Sequence, residues 1–218
     1  MARARSAAGA LPFVVALALA WGAATADAYY WPTGEPVLAV GQTVVIYSDY
    51  YKSFCYWENY DPNMIYDRSY IKCNAGKDTL ELATRFRITP AMPLEVCGRI
   101  PMSTHNVSVG FNTRRCLPDR PLAPCEVSTM LGGAQTIKCD SGPVYQNYAN
   151  FMLKNSALPS GGVDGWLHGG QVPITIMSAR TGKVCGVNNN QGMIECGGTH
   201  SALASTFYFV PTDPLPGC

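Results

Sequence analysis

The chain of 218 residues is short of charge: only 14 % of it is Asp, Glu, Lys or Arg, and the formal net charge is +1. So even a balance provides no basic stripe to track a phosphate backbone, which excludes nucleic acid as a partner. Histidine is scarce as well. His105, His168 and His200 stand far apart, and no two cysteines have the C-x2-C spacing of a zinc site, so neither a metal nor another cofactor is expected. After residue 28 no apolar run reaches the roughly 18–20 residues that a membrane span needs. Pro211 to Cys218 lacks the hydrophobic tail of a lipid-anchor signal. Long helical periods are missing too, because 21 glycines and 16 prolines punctuate the chain.

What is present begins with a targeting pattern. Arg3 and Arg5 lead into an apolar, small-residue run from Leu11 to Ala24, and Ala26-Asp27-Ala28 supplies a small-x-small cleavage site. Residues 1–28 read as a signal peptide. Residues 29–218 read as one secreted, extracellular domain in which the two charge signs balance. All nine cysteines, at 55, 73, 97, 116, 125, 139, 185, 196 and 218, fall in that part, where an oxidising compartment makes disulfides the expected state. Nine is odd, so one cysteine is free, joined to a second chain, or paired with a small thiol.

The apolar stretches are short and rich in β-branched and aromatic residues, as in Thr43 to Tyr47, Val107 to Val109, Val172 to Met177 and Thr206 to Val210. That is the pattern of an all-β chain. It also repeats three times, over about 41–88, 102–153 and 169–210. Each copy opens on an alternating strand (Val44 to Ser48, Val107 to Phe111, Ile174 to Ser178). A polar turn with a basic residue precedes the first cysteine, at 55, 116 and 185. The tripeptides Tyr70-Ile71-Lys72, Thr136-Ile137-Lys138 and Met193-Ile194-Glu195 precede the second, at 73, 139 and 196. Phe86, Phe151 and Phe207 follow 13, 12 and 11 residues later. One such unit buries too little apolar surface to stand alone, whereas three can share a core.

Four strand candidates per copy, in this order, resemble the β-trefoil of ricin-type lectin domains. The resemblance covers roughly 41–210 and departs from that family in one respect, because its Gln-x-Trp is replaced here by Ala-x-(x)-Phe. It implies a disulfide-stapled β-trefoil of three four-stranded repeats, with bridges Cys55–Cys73, Cys116–Cys139 and Cys185–Cys196. Cys97 and Cys125 are then left for a fourth bridge, and Cys218 for an unpaired or intermolecular role that would give a disulfide-linked dimer.

Copies spaced by 61 and 69 residues carry long loops, and loops on a rigid scaffold are where binding residues concentrate. The first copy is rich in rings: Tyr50, Tyr51, Tyr56, Trp57, Tyr60, Tyr66 and Tyr70 alternate with Asp49, Glu58, Asn59, Asp61 and Asn63. Rings that stack on the apolar face of a sugar, beside amides and carboxylates that hold its hydroxyls, make a glycan site. Tyr56, Trp57, Asn59, Tyr60 and Asp61 are the candidates. Packing of the same rings onto the scaffold, or a protein interface, is the competing reading. Asn106-Val107-Ser108 is an N-glycosylation sequon at Asn106.

Two other patterns carry less. Asp140-Ser141-Gly142 is like part of a serine-protease nucleophile loop, but the repeat places a turn there, and nothing places a base beside the serine. Asp61, Asn63 and Asp67 begin like a calcium loop that lacks its glycine and closing glutamate. No catalytic set emerges. The expected role is a secreted, lectin-like binding module, not an enzyme, with glycans or cell-surface glycoproteins as partners. A structural or protein-interaction component of the cell surface or matrix, and a trefoil-type protease inhibitor, are the alternatives.

Overall fold

The computed structural model describes residues 36–57, 70–74, 83–89, 98–101, 125–130, 132–139, 150–156 and 165–213. Among them the chain is all-β. Its twelve strands are β1 (Thr43–Ser48), β2 (Ser53–Phe54), β3 (Tyr56–Trp57), β4 (Ile71–Lys72), β5 (Phe86–Arg87), β6 (Cys125–Thr129), β7 (Gln135–Cys139), β8 (Phe151–Asn155), β9 (Ile174–Ser178), β10 (Gly186–Val187), β11 (Ile194–Glu195) and β12 (Phe207–Pro211). Three antiparallel sheets result. The largest runs β2-β1-β12-β9-β8, with β5 also on β1; the second runs β10-β11-β7-β6; the third is the pair β3-β4.

The large sheet joins the first and last described strands. Tyr47 lies opposite Tyr208 and Ser48 opposite Phe207, while Phe207 also faces Ile174 and Phe151 faces Ser178. Phe86, Phe151 and Phe207 are fully buried, and one continuous apolar cluster runs from Leu38 to Phe209. β9 alternates as a half-buried strand should, whereas β1 is buried on both faces except at Tyr47; Val44, Ile46, Ile174 and Ile176 are wholly enclosed.

Two clusters of contacts tie the three thirds of the chain together, the first through residues that just precede each copy. At one end Leu38 donates its N–H to Leu167 O (2.8 Å), Leu167 to Ile100 O (2.7 Å), and Ile100 to Leu38 O (3.0 Å). The three bonds form a closed triangle with one residue from each third of the chain, and all three side chains are buried. Gly169 borders this triangle because nothing larger fits, since a Cβ there would stand 2.4 Å from Phe209 O and 2.8 Å from Leu38 Cδ2. At the other end the hairpins β3-β4, β6-β7 and β10-β11 meet pairwise, through Tyr70 opposite Lys138, Thr136 opposite Glu195 and Lys72 opposite Met193. Ile71, Ile137 and Ile194 point inward from these hairpins, each followed two residues later by a buried cysteine.

Each hairpin holds a disulfide: Cys55–Cys73, Cys125–Cys139 and Cys185–Cys196. The middle one corrects the sequence reading, in which Cys139 pairs with Cys116 and Cys125 with Cys97. The register is the reason. Cys125 opens β6 directly opposite Cys139 at the end of β7, and the strands turn tightly through Gly132 and Gly133, both at positive φ. Cys97, Cys116 and Cys218 lie outside the described residues. So do Asn106, Asp140-Ser141-Gly142 and the acidic run Asp61, Asn63 and Asp67.

Candidate functional site

The turn from β1 to β2 is built twice in the chain. Ser48 Oγ accepts the Tyr51 N–H (3.4 Å), and Ser178 Oγ accepts the Thr181 N–H (3.3 Å). Cys55 N–H then donates to Ile46 O (2.7 Å), and Cys185 N–H to Ile176 O (2.8 Å). The fourth turn residue has positive φ in both, +51° at Lys52 and +66° at Gly182. Glycine takes that conformation freely, whereas lysine is strained in it. What the first copy has in return is an ion pair, Lys52 Nζ to Asp49 Oδ1 at 2.6 Å.

Below that pair lies a row of rings. Tyr208 on β12, Tyr47 on β1 and Phe54 on β2 are successive cross-strand partners, so all three project from one face of the sheet. Tyr47 and Phe54 meet edge to face at 5.3 Å between centroids, and Tyr47 and Tyr208 are tilted at 6.2 Å. Phe54 packs underneath with Val45, Ala83 and Val210, while Tyr47 and Tyr208 remain half-buried. The arrangement is a ring platform bordered by one carboxylate and one ammonium.

Its electrostatics are coherent. The hydrogen bond to Asp49 holds the Lys52 ammonium above the ordinary lysine range, against a smaller opposing effect of burial. Burial first, then the Asp49 carboxylate, raises the Tyr208 phenol, with Lys52 pulling it down. Burial and the neighbouring Tyr50 raise Tyr51. All three groups favour the protonated form in the fold. Their contribution is therefore intact below the ordinary values of about 10–10.4 and is lost as pH rises through the raised ones. The expected result is a melting temperature that declines above about pH 10, with some tyrosinate absorbance appearing only on unfolding. A flat alkaline profile would contradict it.

The glycan candidates read from sequence are placed differently. Trp57 spans two copies: its indole N–H donates to Cys139 O (3.0 Å), its main-chain N–H donates to Thr84 Oγ1 (2.8 Å), and its ring packs on the core. Tyr51 does similar work toward the third copy, donating its hydroxyl to Asn188 O (2.9 Å) and meeting Tyr50 edge to face at 5.0 Å. Tyr56 sits half-buried opposite Lys72. Asn59, Tyr60 and Asp61 lie outside the described residues. The rings of the first copy thus divide between locking copies together and forming a platform. Sequence reasoning missed Tyr208, 161 positions from Tyr47. Only the pairing of the last strand with the first brings them together.

No family model matches the chain, and no curated protein matches it. Solved structures do. An SDF2-like protein from Arabidopsis thaliana is 7 % identical, with 80 % of this chain and 95 % of that one covered and a TM-score of 0.55. The Pmt1-Pmt2 protein O-mannosyltransferase complex of S. cerevisiae, in a structure with the sugar donor bound, is 10 % identical at a TM-score of 0.59; the match takes in 84 % of this chain and 27 % of that one. At such identities the likeness is one of fold: the chain, all-β and with three disulfides among the described residues, has the fold of the SDF2-like structure and of a part of the mannosyltransferase complex.

Proposed function

We propose that the protein is a secreted, non-enzymatic binding module of β-trefoil architecture that recognises extracellular glycans. The architecture is supported by the closed Leu38–Ile100–Leu167 triangle and by the pairwise meeting of three disulfide-bonded hairpins. Both are expected of three copies around a pseudo-threefold axis. The resemblance to ricin-type lectins belongs to the same proposal. The buried disulfides of these three hairpins suit an oxidising, extracellular setting.

The platform of Tyr208, Tyr47 and Phe54 beneath Asp49 and Lys52 carries the glycan reading. A pyranose presents a C–H face to a ring and a rim of hydroxyls to polar groups. Asp49 accepts from such hydroxyls and Lys52 donates to them, and their mutual bond holds both in place before a ligand arrives. A glycan array probed with the full secreted chain tests this. Binding to a defined set of sugars is expected, weakened about tenfold or more by Tyr208→Ala and by Asp49→Ala, equivalent to about 1.4 kcal/mol. Trp57→Ala should act through stability instead. No binding on the array, or binding indifferent to Tyr208 and Asp49, would remove the platform from the argument.

A further inference from the structure

The face that carries the ring platform continues along β1 to β5. Phe86 pairs with Val44 and is fully buried, so Arg87 beside it lies on the opposite face, paired with Thr43. Thr43 and Tyr47 share that face, being an even number of residues apart on one strand. Arg87 and the ring row Tyr208–Tyr47–Phe54 therefore stand on the same side of the sheet, about 13 Å apart along β1. Arg85, on the other side of Phe86, is two residues nearer to the rings. Its neighbour Ala83 packs with Val45, Phe54 and Val210, the cluster on which Tyr47 rests. Arg85, Arg87 and Lys52 are all exposed. Arg87 donates its Nε–H to Gly41 O (3.1 Å), a bond that steadies the guanidinium without using its two NH2 groups. Asp49 is the only carboxylate on β1, β2, β5, β12 or the turn joining β1 to β2, and it is 19 % exposed and already bound to Lys52.

The third copy has the same frame without these groups. Met152, Met177 and Val184 stand in the positions of Tyr208, Tyr47 and Phe54, and Ala179 and Gly182 in those of Asp49 and Lys52. Rings and ion pair are thus present together in one copy and absent together in the other. Lysine at φ +51° is strained where glycine is not, and strain kept at an exposed turn points to a task for the side chain rather than to packing. Asp49 takes one of the three ammonium protons, which leaves two for a ligand.

We infer that this face selects acidic saccharides: Lys52, Arg85 and Arg87 hold carboxylate or sulfate groups of a glycan whose sugar rings lie on Tyr47 and Tyr208. The inference rests on the glycan reading of the platform and specifies its ligand class. Guanidinium forks match the paired oxygens of a carboxylate or sulfate, and the ammonium adds a point charge at the other end of the ring row. Cations spread over more than about 13 Å along the strand suit an oligosaccharide with repeated acidic groups rather than one unit. A neutral sugar would leave both arginines unused, whereas an acidic peptide would meet the cations without offering a C–H face to the rings. The net charge of +1 does not reveal the trio, because only the pairing of β5 with β1 brings residues 85 and 87 to this face.

Isothermal titration of the full secreted chain tests this with matched probes: oligogalacturonate against its methyl ester, and sulfated against unsulfated dextran oligosaccharide. The members of a pair share their backbone and differ in charge. In at least one pair the acidic member should bind about tenfold or more tightly than the neutral one, and added salt should erode that preference. Changing both Arg85→Gln and Arg87→Gln should bring the two members close together. Lys52→Gly, which relieves the backbone strain, should weaken the acidic member without lowering the melting temperature. Equal binding of both members in both pairs overturns the inference and leaves the platform reading standing. A preference untouched by the arginine and lysine variants overturns it as well. So does acidic binding that persists in Tyr208→Ala or that oligoglutamate matches, because charge without rings would then suffice. No binding of any probe also overturns it, and the glycan array then decides the platform separately.

Discussion

Alanine at both Cys125 and Cys139 should lower the unfolding free energy by about 2–5 kcal/mol, the usual effect of removing a native disulfide from a small secreted domain. The bridge spans 14 residues, for which chain entropy alone gives about 3 kcal/mol. The rest comes from what the hairpin carries. Both cysteines are fully buried, Val127 and Ile137 face the core between them, and Cys139 O is the acceptor for Trp57. Loosening β6 from β7 therefore releases the hold of the first copy on the second. Alanine is the better replacement, because serine would bury two hydroxyls and add a cost unrelated to the bridge. Urea unfolding under non-reducing conditions gives the number, and peptide mapping of the unreduced protein should give a linked pair containing residues 125 and 139. Cys116→Ala should leave that pair linked. If Cys116→Ala matched the double variant, and Cys125→Ala did nothing, the hairpin register would be wrong.

How much of this was legible in the sequence depends on the range over which each signal acts. The all-β character and the buried phenylalanines could be read locally, since glycine, proline and alternating apolar residues act within a few positions. The second cysteine of each copy was legible for the same reason: Ile71-Lys72-Cys73, Ile137-Lys138-Cys139 and Ile194-Glu195-Cys196 put one apolar residue and one cysteine on the inner face. The first cysteine of the middle copy was not. Thr113-Arg114-Arg115 before Cys116 imitates the basic turns before Cys55 and Cys185, and the choice between Cys116 and Cys125 falls to the register of a hairpin closed by Gly132 and Gly133. The site failed to show for a different reason. Ring density in the first copy was real, but Tyr51 and Trp57 spend their polar atoms on Asn188 and Cys139 in other copies. The platform depends on Tyr208, whose place beside Tyr47 follows from sheet closure and from no local pattern.

Truncating Phe207 should be the most damaging single substitution among the described residues. Phe207→Ala is expected to cost about 3–5 kcal/mol, the range for removing a buried aromatic ring, in a domain whose whole stability is of the order of 5–15 kcal/mol. The position explains the size. Phe207 opens β12 between β1 and β9, opposite Ser48 on one side and Ile174 on the other, and is wholly enclosed. A cavity there undermines the junction of the last strand with the first, which also aligns Tyr208 with Tyr47. Phe207→Leu, which keeps most of the volume, should cost clearly less. Phe151 faces Ser178 as Phe207 faces Ser48, so Phe151→Ala should fall in the same range, whereas Tyr208→Ala, on the outward face, should cost far less. Denaturant midpoints for the four variants check the order. Because one apolar cluster links all three copies, each variant should still unfold in a single cooperative step. A second transition in Phe207→Ala, with part of the chain remaining folded, would mean that the copies do not share one core and would count against the trefoil.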